Sequence, residues 1–482
     1  MILWSVPKEV KTFLGKAVAG CSKPIRRALP VMVLAFTLAP HRRALKTMAG
    51  VVLEDRCHVA TISRRLNNPQ WTTRDWYADL YGGLLEQIDR WERRIAKKKQ
   101  RQWIVAIDTT YHDSVSECME NMIVMSKPKD PSRQPTRQHA FVMGLLLTDR
   151  GGRLPLPRKS YYTQAYCRKY RRRYRTQVQL AAAMLRELRV PDDVEVTVVV
   201  DSAFDAGAIH KECRRRGFRA VFPLDSNRVL ARSPAQDEAG ISGEKVVEWT
   251  RHWSQTEFTV LELQVDSEDH VFARRRHVDN LRVKKTERRY AAAARRAAVS
   301  KLGECLIVTS YKENRKVQLQ AGQSGEWWAY HRLPVSYRKE DRHKAARWHR
   351  KVLACTDPTA TARQVIEWYE LRWQVELFFR ELKSRMQFEC YVLMKFAAVE
   401  RYLDLLLMGL LLLEKQRLTD MQRAGPEYGA PWVHARTTDR LRMLEALCQE
   451  WNVKQIERAL RSPVACRRLL RKLRRVTPCQ VA

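Results

Sequence analysis

The sequence predicts an α/β protein: a sheet domain interrupted by a β-rich insertion, with helical regions at both ends. Three observations predict it. From Trp103 onward, the strand-like runs WIVAID, HAFVMGLLLTD and VEVTVVVD are joined by a helical stretch, TQVQLAAAMLREL, between the second and third; strands interleaved with helices indicate an α/β sheet. Between about 228 and 350 the pattern changes to strand-like runs that suggest a separate, largely antiparallel unit, VVEWTRHW, FTVLELQV, CLIVTSY, KVQLQAG and EWWAYHRL, with one basic helical stretch, RVKKTERRYAAAARRAAVSK, among them. Before about 98 and beyond Phe396 the chain reads as helical, as in Val31, Val33, Leu34, Phe36 and Leu38 ahead of Pro40. The resulting division is a helical region over 1–98, a sheet domain over 99–227 and 351–400, the insertion over 228–350, and a helical region over 401–482.

A chain of 482 residues exceeds what one core organises. Lys and Arg number 89 against 53 Asp and Glu, a formal charge of +36. An excess of that size is costly in self-repulsion without a polyanion, and nucleic acid is the leading candidate. A membrane partner is disfavoured: the most apolar run, Leu403 to Leu413, contains Asp404 and is about half the length that spans a bilayer. It predicts a buried helix. No secretory leader is legible at the N-terminus. The 11 cysteines are odd in number, scattered, and contain no C-x-x-C pair, which fits a reducing, cytoplasmic setting and argues against a zinc module.

In chain order, LKTMAGVVLEDRCHVATISRRLNN suggests two short helices around a connection near Glu54 to Cys57, the second ending in Arg64, Arg65, Asn67 and Asn68. Such a pair is a candidate helix-turn-helix whose Arg and Asn side chains reach base edges; a plain helical hairpin with a basic end fits equally well. ERRIAKKKQRQ reads as a basic boundary. Gly151 and Gly152 followed by RLPLPRKSYYT predict a hairpin partner for the second strand. AGAIHKECRRRG predicts a helix closed by Gly217, FRAVFPLD a further strand, and KVLACTD a return strand after the insertion.

The stretch WYELRWQVELFFRELK, 368 to 383, reads as one helix. Tyr369, Arg372, Glu376 and Lys383 lie at offsets 0, 3, 7 and 14, within a stripe of about 60° at 100° per residue. Leu371, Val375, Phe378 and Leu382 make an apolar stripe on roughly the opposite side. Asp108 ends WIVAID and Asp201 ends VEVTVVVD, where a buried strand aims a carboxylate at the sheet edge. Taken singly, an Asp at a strand end caps the next turn, and Glu376 pairs with Arg372 along the helix. Taken together, the three supply the hard oxygen ligands that two Mg²⁺ ions need for chemistry at a phosphodiester.

The spacing Y-x2-R-x3-E-x6-K, with AIDTTYHD around Asp108 and VVVDSAFDAG around Asp201, resembles the motifs of the DDE transposases of bacterial insertion sequences, in the insertion sequence 4 group. The likeness covers about 100 to 400, including the insertion before the third acidic residue. It implies an RNase H-like catalytic domain interrupted by a β-rich insertion, cutting and rejoining DNA with two Mg²⁺ ions that Mn²⁺ can replace. By position, Asp108 and Asp201 would hold the shared metal and Glu376 the second, while Tyr369, Arg372 and Lys383 would grip transposon-end phosphates. The implied route is nicking by water, attack of the new 3′-hydroxyl on the opposite strand to form a hairpin, hairpin opening, and insertion. Implied partners are double-stranded DNA, as terminal inverted repeats and as target, and a second copy of the chain in a synaptic homodimer. Trp327, Trp328 and Trp348 are candidates to stack an extruded base in such a hairpin, with core packing the competing role for each.

RKSYYTQAYCRKYRRRYR, from Arg158 to Arg175, alternates cations with five tyrosines. Arg168, Lys169, Arg171, Arg172, Arg173 and Arg175 are thereby candidate phosphate contacts. The segments 274 to 289 and 467 to 475 are cationic and suit either DNA or a subunit interface. Two other functions compete: a catalytically inactive, domesticated DNA-binding regulator, and a metal-dependent DNA nuclease.

Overall fold

The computed structural model describes residues 5–38, 59–96, 100–124 except 115 and 117, 137–224, 228–230, 246, 259–263, 267–280, 300–313, 348–424 except 387 and 392, and 449–467 except 455, 458, 459 and 465. Twelve strands form one mixed sheet. They are β1 (Arg101–Ser114), β2 (Ile123–Val124), β3 (Arg137–Leu147), β4 (Arg153–Pro155), β5 (Lys159–Ser160), β6 (Val194–Val200), β7 (Arg219–Pro223), β8 (Arg228–Leu230), β9 (Thr259–Leu263), β10 (Ser267–Asn280), β11 (Ser300–Glu313) and β12 (Trp348–Cys355). Their order is β2-β3-β1-β6-β7-β12-β11-β10-β8, with β4 and β5 on β3 and β9 on β10.

The centre of the sheet carries the aperiodic apolar runs. Trp103, Ile104, Val105, Ala106 and Ile107 are all fully buried. Consecutive strand residues face opposite ways, so both faces of β1 are covered. β1 runs antiparallel to β3, from Ile104 opposite Leu147 to Ser114 opposite Arg137, and parallel to β6, from Arg101 beside Val194 to Ile107 beside Val200. β6 is parallel to β7. The hairpin partner predicted after Gly151 and Gly152 appears as β4 and β5, both antiparallel to β3.

The strands after 228 run antiparallel to one another. β12 joins them to β7, so the described strands are antiparallel as expected but continue the same sheet instead of forming a separate one. Of the expected elements in this stretch, KVQLQAG and EWWAYHRL lie outside the described residues, as do nearly all of VVEWTRHW and of the basic helical stretch.

The helices are α1 (Lys8–Ala17), α2 (Lys23–Leu38), α3 (Val59–Asn67), α4 (Thr73–Ala96), α5 (Gln164–Lys169), α6 (Gln177–Glu187), α7 (Gly207–Arg216), α8 (Ala362–Glu370), α9 (Trp373–Arg380) and α10 (Phe396–Ala424). A capping box starts α6, in which Thr176 accepts from the Gln179 backbone and the Gln179 side chain accepts from Thr176 N–H. α6 lies directly on β3: a Cβ on Gly144 would stand 2.7 Å from Leu156 and 2.9 Å from Met184. Gly217, at φ 66°, closes α7 in the left-handed region.

The Leu403 to Leu413 run is buried inside α10, against α2, α3, α4 and β4. Among the described residues no helix is long and apolar enough to cross a membrane. Asp404 pairs there with buried Arg158, whose Nε lies 2.7 Å from Asp404 Oδ1, and Glu400 accepts from Ser160 and Tyr162. A polar network therefore fastens α10 to β5.

One local expectation fails. Residues 368–383 are not a single helix: α8 stops at Glu370, and α9 begins at Trp373. Across the joint the hydrogen bonds tighten to i→i−3, from Arg372 N to Tyr369 O (3.0 Å) and from Val375 N to Arg372 O (3.1 Å). A wider π turn over Glu381–Arg385 follows. The apolar seam survives this break, with Leu371, Val375, Phe378 and Leu382 buried.

Candidate active site

Asp108 and Asp201 each follow the last aligned pair, Ile107 beside Val200, of two adjacent parallel strands. Sheet geometry thus sets the two carboxylates side by side at one edge. Asp108 stays in β1, and its Oδ1 accepts from Thr109 N–H at 2.7 Å. Asp201 leaves β6 and opens the turn Ser202–Phe204, its carbonyl accepting from Phe204 N–H at 2.9 Å.

α8 and α9 bring the third set of groups. The capping box of Thr361 and Gln364 fixes the start of α8; α8 packs on β6 and β7, and α9 on β1 and β3. At the joint Arg372 Nη2 lies 2.6 Å from Glu376 Oε1, and its guanidinium lies 5.6 Å from the Tyr369 ring centre. Tyr369 is buried, so it supports Arg372 more than it faces solvent. Lys383, in the π turn, donates to Tyr111 O at 2.8 Å on β1 and lies 2.8 Å from Glu389 Oε1.

The electrostatics of Asp108 report the company it keeps. Its carboxyl is pushed up to about 6, chiefly by burial and in smaller part by the charges of Asp201 and Glu376, with Thr109 N–H and Arg372 opposing them. Burial also raises the Tyr369 phenol, with Arg372, Asp201 and Glu376 all acting on it. Three carboxylates, from β1, the turn after β6, and α9, therefore share one field with Arg372.

They do not close around a cation as they stand. Among the described residues no group of three or more His, Cys, Asp or Glu is set closely enough to hold a metal ion, and Glu376 is turned to Arg372. The donor set nonetheless suits a hard divalent ion, because a cation removes the mutual repulsion that helps raise Asp108.

The remaining predicted residues are spread out. Arg64 and Arg65 lie in the last turn of α3; Arg401 of α10 donates to Leu66 O and Trp71 O just beyond them. The other half of the candidate helix-turn-helix lies outside the described residues, as do Trp327 and Trp328; Trp348 opens β12. Arg168, Lys169, Arg171, Arg172, Arg173 and Arg175 are exposed in and after α5. Of the tyrosines among them, Tyr166 is buried and Tyr161, Tyr162 and Tyr174 are half-buried, whereas Tyr170 is exposed and donates to Glu120. Tyr162 and Tyr166 stack at 5.5 Å, Tyr162 donates to Glu400, and Tyr161 meets Tyr174 at 3.0 Å.

Sequence reasoning passed over Asp205 and His210. His210 Nε2 lies 2.9 Å from Asp205 Oδ1, both buried, just beyond Asp201. Asp205 stood within VVVDSAFDAG, but its partner lay too far into the next helix to be read from the motif. Gln177 was also missed: at the start of α6, it accepts from Thr109 and Tyr111 at 3.3 Å each, which docks α6 beside Asp108.

A mixed α/β sheet with acidic side chains gathered at one edge is consistent with an RNase H-like nucleic-acid enzyme. Residues 172–412, half of the chain, match the family model of the transposase DDE domain, and the protein belongs to that family. The matched span includes Asp201 and Glu376; Asp108 lies ahead of it. A comparison with curated proteins found no match.

Proposed function

We propose that this transposase moves an insertion sequence of the insertion sequence 4 group by cut-and-paste transposition, with Asp108, Asp201 and Glu376 as its catalytic triad. The observation that carries the reading is the convergence on Asp108 of Asp201, set beside it by the strand register, and Glu376, both of whose charges it feels, from segments nearly 270 residues apart. Asp108 and Asp201 would hold one Mg²⁺ and Glu376 the second, with Mn²⁺ able to replace them. Bound there, such ions supply an activated oxygen nucleophile and charge neutralisation at the leaving oxygen.

The chain's own side chains orient the DNA. Arg372 exchanges Glu376 for a phosphate oxygen, which its planar fork grips in two places. Tyr369 braces the guanidinium from beneath. Lys383, already tied to β1 through Tyr111 O, offers a second cation at the same edge. Successive strand cleavage, hairpin formation and hairpin opening at that edge would free the element from a donor duplex. A synaptic homodimer would hold both terminal inverted repeats, in the bacterial cytoplasm at the nucleoid.

The test supplies the protein and Mg²⁺ with labelled DNA carrying the inverted repeats that flank its gene, plus a target duplex. Cleavage at the repeat ends, a hairpin product and joining to target are the expected results. Binding without cleavage would identify a regulator, and cleavage of any duplex without joining a nuclease.

A further inference from the structure

α6 and α7 lie side by side, and between them runs a groove of about 540 Å³. Its walls carry Arg173, Arg175, Arg186, Lys211 and Arg215, and three alanines line it as well. One carboxylate, Glu212, sits among these five cations, 5% exposed at its side chain. Glu212 Oε2 accepts from Arg186 Nε and Nη2 at 3.1 and 3.0 Å, and Oε1 accepts from Arg215 Nε at 2.8 Å. Burial pushes the Glu212 carboxyl up, but the arginine contacts outweigh it and hold the group below its ordinary range.

The two guanidiniums keep 61% and 54% of their side-chain surface exposed. A guanidinium has five N–H donors, so both retain donors for an outside acceptor. Glu212 thus works as a post that fixes two arginine forks on neighbouring helices. Arg216 fastens the far end of the groove by donating to Arg186 O and Leu188 O. At the near end Gln177 docks on Thr109 and Tyr111, next to Asp108.

We propose that this groove is a track for the phosphate backbone of duplex DNA, leading away from the catalytic edge along α6 and α7. The inference rests on the transposase reading and adds a contact surface to it. Charge complementarity selects the occupant: five cations against one already paired carboxylate leave an uncompensated positive channel. Length agrees as well. The lining from Gln179 to Arg186 and from Ala208 to Arg215 extends about 10 Å at 1.5 Å per residue, the axial run of about three phosphates of one strand. Small side chains let a sugar-phosphate chain approach, and fixed guanidiniums read phosphate geometry without reading base sequence.

The experiment measures binding of the full chain to a duplex of unrelated sequence across a series of salt concentrations. The double variant Arg175→Ala with Lys211→Ala spares the Glu212 post. It should lower the slope of log affinity against log salt by about 1.8, at 0.9 per lost phosphate contact. Arg186→Lys with Arg215→Lys keeps a charge beside Glu212 but loses the forks; it should weaken binding several-fold with little change in slope. An unchanged slope in the folded double variant would overturn the groove while leaving the transposase reading intact, since end cleavage is scored separately. Normal slope effects with no end cleavage would sink that reading and keep the groove as a DNA track; no DNA binding by the intact chain would overturn both.

Discussion

Arg372 Nη2 lies 2.6 Å from Glu376 Oε1, one helical turn away. The guanidinium therefore stands where a cation is wanted, balancing the third carboxylate and, at longer range, Asp108. Removing it has opposite effects on the two ligands. Arg372→Ala should tighten Ca²⁺ binding without DNA by about tenfold, the equivalent of ~1.4 kcal/mol from one half-buried charge. The same variant should weaken DNA binding. Titration calorimetry with Ca²⁺ checks the first effect, and equal affinity in both proteins would mean that Arg372 does not compete with metal.

Asp108 makes stability depend on pH. Its folded-state value of about 6 lies above the ordinary 3.8, so the folded protein binds this proton more tightly than the unfolded chain does. Ionising the group costs stability as pH rises from the ordinary value through the folded one, and the cost is complete above it. In chelator, Asp108→Asn should stabilise the protein by up to about 2 kcal/mol near pH 8 and by almost nothing near pH 4. Thermal melts at the two pH values decide; a gain that is equal at both would place its cause elsewhere.

The network around Arg158 holds the helical layer to the sheet. Arg158 is buried against Asp404, with Glu400 at 3.2 Å. Arg158→Met removes the buried charge that balances Asp404 and Glu400, leaving them only neutral donors such as Thr73, Ser160 and Tyr162, and should cost about 3–5 kcal/mol. Adding Asp404→Leu should return part of that loss. Denaturant unfolding measures both, and a neutral single variant would show that water or rearrangement satisfies the acids.

Much of this arrangement was legible in the sequence because local signals carried it. WIVAID and VEVTVVVD read as central strands since apolar residues without alternation need cover on both faces, and each ended in the Asp that now stands at the sheet edge. Gly217 marked the end of α7 through its backbone freedom. The break between α8 and α9 was illegible: no Gly or Pro stands at 370 to 373, and it falls where α8, packed on β6 and β7, gives way to α9, packed on β1 and β3. The packing of Tyr162 and Tyr166 was illegible for a related reason, since their partners, Glu400 and Phe396, come from α10. Pairing of β12 with β7 joins residues about 130 apart, a contact that no local pattern announces.

The most direct test of the central claim is Mg²⁺-dependent cleavage of labelled terminal-repeat DNA by the intact protein beside Glu376→Gln. The substitution keeps the shape of the side chain and a hydrogen-bonding oxygen for Arg372 while removing one negative charge. Cleavage should fall by at least about a thousandfold while DNA binding stays within a few-fold. Cleavage at the intact rate in the folded variant would contradict the assignment of Glu376 and, with it, the three-carboxylate centre.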